Sequence, residues 1–297
     1  MITRRQFQLG FGTALIATAL TIRPNAMRAS IADQHLIDEI KRLERESGGR
    51  LGVCVLETAT GARHVHRGDE RFPMCSTFKA LAAAAILARV DAGKEQLSRR
   101  ITFDASALIT YSPATEKHVG DGMTLAELCE AAVTLSDNTA ANLLLAAIGG
   151  PSGLTSFVRS LDDQFTRLDR NEPTLNEASP DDPRDTTTPN AMASTLQTLI
   201  LGTRALTAPS REQLTAWLIG NKTGDTRLRA GFAKDWRIGE KTGTGVRGTS
   251  NDVGVVWPPN TPPVVITAYL TGATVSPAQQ NATLASVARA VSAMLSG

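Results

Sequence analysis

A serine followed three positions later by a lysine, Ser76-Thr77-Phe78-Lys79, is where this chain first offers covalent chemistry. A serine hydroxyl is a poor nucleophile at its free pKa and needs a base within hydrogen-bond reach. Residues three apart share one face of a helix, and the Ala- and Leu-rich run from Thr77 to Ala92 predicts a helix there. If that helix begins near Ser76, the hydroxyl lies beside the Lys79 side chain. It also lies among free backbone N–H groups carrying partial positive charge, which favours an oxyanion on a bound carbonyl. Taken alone, the same pair is also an ordinary helix start, a serine N-cap followed by a surface lysine.

Three further segments decide between those readings. Ser136-Asp137-Asn138 separates two apolar, helix-like stretches, 125–135 and 139–148. Such a triplet makes a turn and a cap, which accounts for Asp137 as a structural residue. Lys241-Thr242-Gly243-Thr244-Gly245 follows Arg237-Ile238-Gly239 and precedes the apolar run 253–257, a composition that reads as strand, turn, strand. An edge of this kind could set a lysine charge and a threonine hydroxyl against a carboxylate while its N–H groups face a carbonyl oxygen. The same residues spell Gly243-x-Gly245-x-x-Gly248, a dinucleotide fingerprint in form only, because the fingerprint must open a helix and a strand-like segment follows here. The stretch 167–176 is polar and aperiodic, and contains Glu172 and Asn176. It predicts a long surface loop, and long ordered loops in compact domains usually carry function.

Together and in this order, these motifs form the signature of class A serine β-lactamases and related penicillin-binding proteins. The chain resembles class A, within the penicillin-binding serine acyl-transferase superfamily, from about residue 33 to its C-terminus. The resemblance implies that Ser76 attacks a β-lactam carbonyl and that Ser136 passes a proton to the leaving nitrogen. It makes 167–185 the omega loop, with Glu172 the general base for the deacylating water and Asn176 that water's second anchor. Lys79 and Glu172 are both candidates for the base that deprotonates Ser76. Asn138 is then expected to hold the substrate's side-chain amide. Lys241, Thr242, Gly243 and Thr244 are expected to bind its carboxylate and carbonyl, with the backbone N–H groups of Ser76 and Thr244 as oxyanion hole. Arg227, fourteen residues before Lys241, matches one position from which relatives place an arginine near the carboxylate, whereas another such position holds Ser250 here. Tyr111 occupies the expected cleft rim, Arg170 and Asp185 match the pair that closes the loop, and Glu172-Pro173 is a candidate cis bond. No cofactor or metal is implied, and the expected partner is a small β-lactam bound by a monomer.

Two other classes share part of this pattern. A penicillin-binding D,D-peptidase has three of the motifs but lacks the loop glutamate, and a non-catalytic β-lactam sensor stays acylated and carries a membrane segment. Glu172 with Asn176 stands against both.

Composition agrees. The net charge is +2 with scattered basic residues, unlike the clustered footprint of a nucleic-acid surface. The four histidines, His35, His64, His66 and His118, have no metal-ligand spacing. Three cysteines cannot all pair within one chain. Cys54 and Cys129 fall in apolar segments and read as buried small hydrophobes. The resemblance implies no disulfide, since the positions that partner Cys75 and Cys129 in relatives hold Gly245 and Ala83. Met1 to Phe7 includes Arg4 and Arg5, an apolar run extends to Ile22, and small residues continue to Ala32. That pattern is an export signal too short to span a membrane. Its paired arginines suggest the twin-arginine route to the periplasm, with cleavage between Ala26 and Ala32 and no stable membrane anchor.

The elements that must position these residues follow from periodicity. Residues 33–47 form an amphipathic helix through Leu36, Ile37, Ile40 and Leu43. A hairpin turns at Thr60-Gly61, a mostly helical middle covers 68–218, and strands follow near 238–242, 252–257 and 264–271. Ser276-Pro277 caps a last helix with Leu284, Val287, Val291 and Leu295 on one face. The expected fold is therefore α+β, an antiparallel sheet flanked by helices. Segments 33–67 and 219–297 should close into one α/β subdomain with an all-helical subdomain, 68–218, inserted. The cleft between them should hold Ser76, Ser136, Glu172 and Lys241.

Overall fold

The computed structural model describes residues 24–296, with side chains from residue 33 onward. Of the expected export signal at 1–32, residues 1–23 lie outside the described residues, and 24–32 continue α1 toward the N-terminus. The helices are α1 (Pro24–Ser47), α2 (Phe78–Asp91), α3 (Leu125–Thr134), α4 (Asn138–Ala147), α5 (Gly150–Ser160), α6 (Pro189–Leu196), α7 (Ala208–Ile219) and α8 (Pro277–Ser296). The strands are β1 (Arg50–Glu57), β2 (Arg63–His66), β3 (Phe72–Pro73), β4 (Arg100–Ile101), β5 (Met123–Thr124), β6 (Thr186–Thr187), β7 (Arg237–Gly245), β8 (Thr249–Trp257) and β9 (Val264–Thr271). Five strands make one antiparallel sheet in the order β2-β1-β9-β8-β7, so the first and last parts of the chain meet at the β1–β9 ladder, where Val53 faces Ala268. The short pairs β3–β6 and β4–β5 stand apart from it.

Period-two alternation assigns each strand residue to one of two cores. Leu51, Val53 and Val55 of β1, with Ile266, Ala268 and Leu270 of β9, pack against Leu36 and Ile40 of α1 and Leu284, Val287 and Val291 of α8. Cys54 and Leu56, with Val265 and Tyr269, face the opposite way into the core built by the helical middle. Each fully buried branched side chain contributes roughly 1.5–3 kcal/mol. The helical core is centred on α2, whose residues from Phe78 to Leu87 are all buried. Alanines at 80 and 82–85 let neighbouring helices approach closely on every side, which is why this helix can carry Lys79 into the interior.

Two local readings change. The Lys241 to Gly245 motif lies entirely within β7, and the turn comes after it at Val246–Gly248. Its glycines serve close approach instead. A Cβ on Gly243 would meet the Met74 carbonyl oxygen at 2.7 Å, and one on Gly245 would meet Cys75 Sγ at 2.7 Å and the Asn176 carbonyl oxygen at 2.9 Å. Ser76 sits in a 3₁₀ turn, Cys75–Thr77, one step ahead of α2. That turn is entered through Cys75 at φ +47°.

Candidate active site

Four elements converge on Ser76. The turn before α2 supplies the hydroxyl, the link between α3 and α4 supplies Ser136 and the first residue of α4 is Asn138, the 167–185 loop supplies Glu172 and Asn176, and β7 supplies Lys241. Ser76 Oγ donates to Glu172 Oε1 at 3.2 Å. Lys79 Nζ lies 3.0 Å from the same oxygen and donates to the Ser136 carbonyl oxygen at 2.8 Å and to Asn138 Oδ1 at 2.6 Å. It reaches Ser136 Oγ at 3.4 Å, and Lys241 Nζ donates to that hydroxyl at 3.1 Å. Ser136 is therefore flanked by two amines, and its φ of +61° marks a backbone held in place by its surroundings. Burial holds the Lys79 amine below its ordinary range, with the Glu172 carboxylate opposing the shift. Lys241 is held well below, first by burial and then by the charge of Lys79.

Glu172 is fixed from three sides. Its side chain accepts from Asn176 Nδ2 at Oε2, its N–H donates to Asn142 Oδ1 at 3.0 Å, and its carbonyl accepts from Asn142 Nδ2 at 2.9 Å. The loop is closed at its base, where Arg170 Nε meets Asp185 Oδ2 at 2.6 Å and Asp185 Oδ1 accepts from the N–H groups of Asp169 and Arg170. Glu172-Pro173 is cis. The loop is pinned to the sheet by Val246 N donating to the Asn176 carbonyl at 3.1 Å and by Arg247 Nη1 donating to that of Glu177 at 2.9 Å.

The other expected residues are placed as follows. Asp137 caps α4 by accepting from Ala140 N and also binds the backbone of Ala114 and Thr115, a wholly structural set. Asn138 spends Oδ1 on Lys79 and an Nδ2 hydrogen on the Thr110 carbonyl, so only part of its amide is free. Thr242 Oγ1 pairs with Thr223 Oγ1. Thr244 is exposed, and its Oγ1 accepts from Arg227 Nη2 at 2.7 Å. Arg227 also donates to the carbonyls of Gly243 and Asn251 and to Asn281 Oδ1, so its guanidinium lies against the back of β7. Tyr111, 57% exposed, sits at φ +66° with its carbonyl accepting from Asn138 N at 3.0 Å. Cys54, Cys75 and Cys129 are buried free thiols, and burial pushes all three up, which leaves them unreactive. Among the described residues, no cluster of three or more His, Cys, Asp or Glu could hold a metal ion.

Sequence reasoning missed Asn142 and Asn251. Asn142 lies one helical turn after Asn138 on an otherwise apolar helix, a pattern that could have flagged it. Asn251 Nδ2 donates to the carbonyls of Pro73 and Met74, tying β8 to the turn that presents Ser76.

A buried serine linked to a lysine and a loop glutamate, beside a second lysine on a sheet edge, defines a serine acyl-transfer centre with its own base for water. The chain belongs to the β-lactamase enzyme family, which it matches over residues 35–295, and to class A within it. It is 52% identical over 233 residues to Beta-lactamase CTX-M-97 of Escherichia coli, covering 78% of this chain and 80% of that one. Beta-lactamase L2 of Stenotrophomonas maltophilia is 43% identical over 298 residues, covering 97% and 98%. Among solved structures, an ancestral (GNCA) class A β-lactamase superposes with a TM-score of 0.85 at 65% identity over 86% of this chain and 98% of that one. The putative class A β-lactamase PenP from Rhodopseudomonas palustris gives 0.86 at 62% identity over 87% and 98%.

Proposed function

We infer that this protein hydrolyses the β-lactam ring of penicillin- and cephalosporin-type antibiotics through an ester on Ser76, and so confers resistance to them. The observation that carries the residue assignment is the Ser76 Oγ to Glu172 Oε1 hydrogen bond, with Lys79 on the same oxygen. Ser76 attacks the lactam carbonyl, and its proton passes to Glu172, the group its hydroxyl already faces. Lys79 holds the carboxylate in place and steadies the charge. The amide nitrogen leaves as Ser136 gives up its proton, and the flanking Lys79 and Lys241 can replenish it. Glu172 returns the serine proton to Lys79, 3.0 Å away, after that amine has replenished Ser136; as a carboxylate again it takes a proton from water as that water attacks the ester, and gives it back to Ser76 Oγ as the ester breaks. Asn176 Oδ1, buried and without a partner among the described residues, is a ready acceptor for the same water's other hydrogen. The N–H groups of Ser76 and Thr244 are assigned to the oxyanion. The purified protein is expected to hydrolyse a penicillin and a cephalosporin, with Ser76→Ala inactive; turnover surviving in that variant would remove the nucleophile.

Lys241, Thr242 and Thr244 are assigned to the substrate carboxylate and Asn138 to its side-chain amide, with Tyr111 at the rim. Arg227 contributes by orienting the Thr244 hydroxyl. Arg227→Ala is expected mainly to raise KM, by roughly 1–3 kcal/mol in binding. Steady-state kinetics that match the wild type would take Arg227 out of the site.

Export to the periplasm through the twin-arginine route is proposed from Arg4, Arg5 and the apolar run after them. Changing both arginines to lysine preserves charge and is expected to block export. Normal appearance of that variant in the periplasmic fraction would assign the general secretory route instead. Residues 33–67 with 219–297, and 68–218, are proposed as the two subdomains, and a monomer as the working form.

A further inference from the structure

Directly behind the Lys241 edge of β7 lie two carboxyl groups that the reaction does not use. Glu240 precedes Lys241, and Asp252 of β8 faces Thr242 across the ladder. Both residues are 0% exposed. Each has one oxygen with a donor: Glu240 Oε1 accepts from Arg229 Nε at 2.8 Å, and Asp252 Oδ2 accepts from Leu228 N at 3.1 Å. The remaining oxygens, Glu240 Oε2 and Asp252 Oδ1, are buried with no donor among the described residues. Glu240 pairs with Gly254 and Thr242 with Asp252, so the two carboxyl groups stand on one face of the β7–β8 ladder at diagonal positions, within reach of long side chains. Two ionised carboxylates in that position would repel and leave two acceptors unpaired, whereas one proton between them satisfies both.

We propose that Asp252 carries this proton and donates Oδ1–H to Glu240 Oε2, so that the pair holds one negative charge and positions Arg227 and Arg229 behind the strand edge that presents Lys241 and Thr244. Glu240 is the anion of the pair because it alone has a guanidinium on its other oxygen. The surrounding charges fit a single negative charge. The turn at 225–229 brings Arg227, Arg229 and the exposed Asp225, and β7 brings Lys241, while α8 offers only the neutral amides of Gln280 and Asn281. Burial raises both carboxyl groups above the ordinary carboxylate range, Asp252 by more. The link to function runs through neighbours. Asp252 holds Leu228 N, the preceding residue is Arg227, and Arg227 donates to the Thr244 hydroxyl. That link rests on the assignment of Lys241 and Thr244 to the substrate carboxylate; the protonation itself does not.

Asp252→Asn keeps the geometry, since the amide N–H can replace the O–H toward Glu240 and the amide oxygen can still accept from Leu228 N. The wild type at pH 7 is expected to show the infrared carbonyl band of a buried protonated carboxylic acid, and Asp252→Asn to lose it. A native state that keeps a proton which the unfolded chain releases loses stability as pH rises above the ordinary carboxylate range of about 4. The stability of Asp252→Asn relative to wild type, read by chemical denaturation, should therefore increase from pH 4 to pH 8. Its KM and kcat should stay within about twofold of wild type, whereas Asp252→Ala, which leaves Glu240 Oε2 unpaired, should raise KM more than it lowers kcat. A wild-type spectrum without the acid band would overturn the proposal, and that measurement needs no variant to fold. A band that survives Asp252→Asn and disappears in Glu240→Gln would place the proton on the wrong residue. Infrared and denaturation read the pair even in a protein with no β-lactam turnover, so failure of the functional assignment would remain distinguishable.

Discussion

Replacing Glu172 with alanine is expected to turn a hydrolase into a stoichiometric trap. Acylation and deacylation are separate steps of covalent catalysis, and only the second requires a base aimed at water on the ester. In the wild type Glu172 is held for that task by Asn142 on its backbone and by Asn176 on its carboxylate. After its removal Lys79, fully buried on the same helical face, can still assist the Ser76 hydroxyl, while among the described residues no other carboxylate bonds to Ser76. Losing a general base costs about 10²–10⁴ in rate, so turnover should fall by at least that order. Mass spectrometry of the penicillin-treated variant should show a lasting increase equal to the whole drug. A variant with full turnover, or one that never shows the adduct, would contradict this division of labour.

Lys79→Ala should damage both catalysis and folding. Lys79 and Glu172 form an ion pair with both side chains wholly buried. Breaking such a pair from one side leaves an uncompensated charge, at a cost of about 3–5 kcal/mol. The amine also holds the Ser136 carbonyl and Asn138 Oδ1, so its loss loosens two more site residues. We expect kcat/KM to drop by at least about 10²-fold. Because the stability cost comes from the stranded carboxylate, Lys79→Ala combined with Glu172→Gln should be more stable than Lys79→Ala alone. A denaturant-based double-mutant cycle measures this. A single variant as stable as wild type, or a double variant less stable than the single, would show that the pair is not coupled in this way.

The chemical residues were legible because each belongs to a short local motif. Ser76 and Lys79 sit three apart on one helical face, and that spacing survives whether the first turn is 3₁₀ or α. Asp137 was readable as a cap for the same reason, since N-capping depends on residues two or three positions away. The alternation in 51–56 and the stripe through Leu284, Val287 and Val291 marked the faces that become the two cores.

What only the tertiary structure decided is which distant groups share an atom. No local rule says that Glu172 Oε1 should receive both the Ser76 hydroxyl and the Lys79 ammonium, because these contacts span 96 and 93 positions of chain. Asn142 and Asn251 look like ordinary amides until the loop and the turn before α2 are packed against them. The chain position of Arg227 says nothing of its partners, whereas packing sets its guanidinium on β7, where it donates to the Gly243 carbonyl and the Thr244 hydroxyl. Glu240 and Asp252 are two unremarked acids in the sequence. Strand pairing brings them together, and burial makes ionising both too costly. Local motifs set which groups are available, because capping, periodicity and helical spacing act over a few residues. Charge state and hydrogen-bond partner depend on desolvation and on neighbours far away in the chain, and those exist only once the fold has closed.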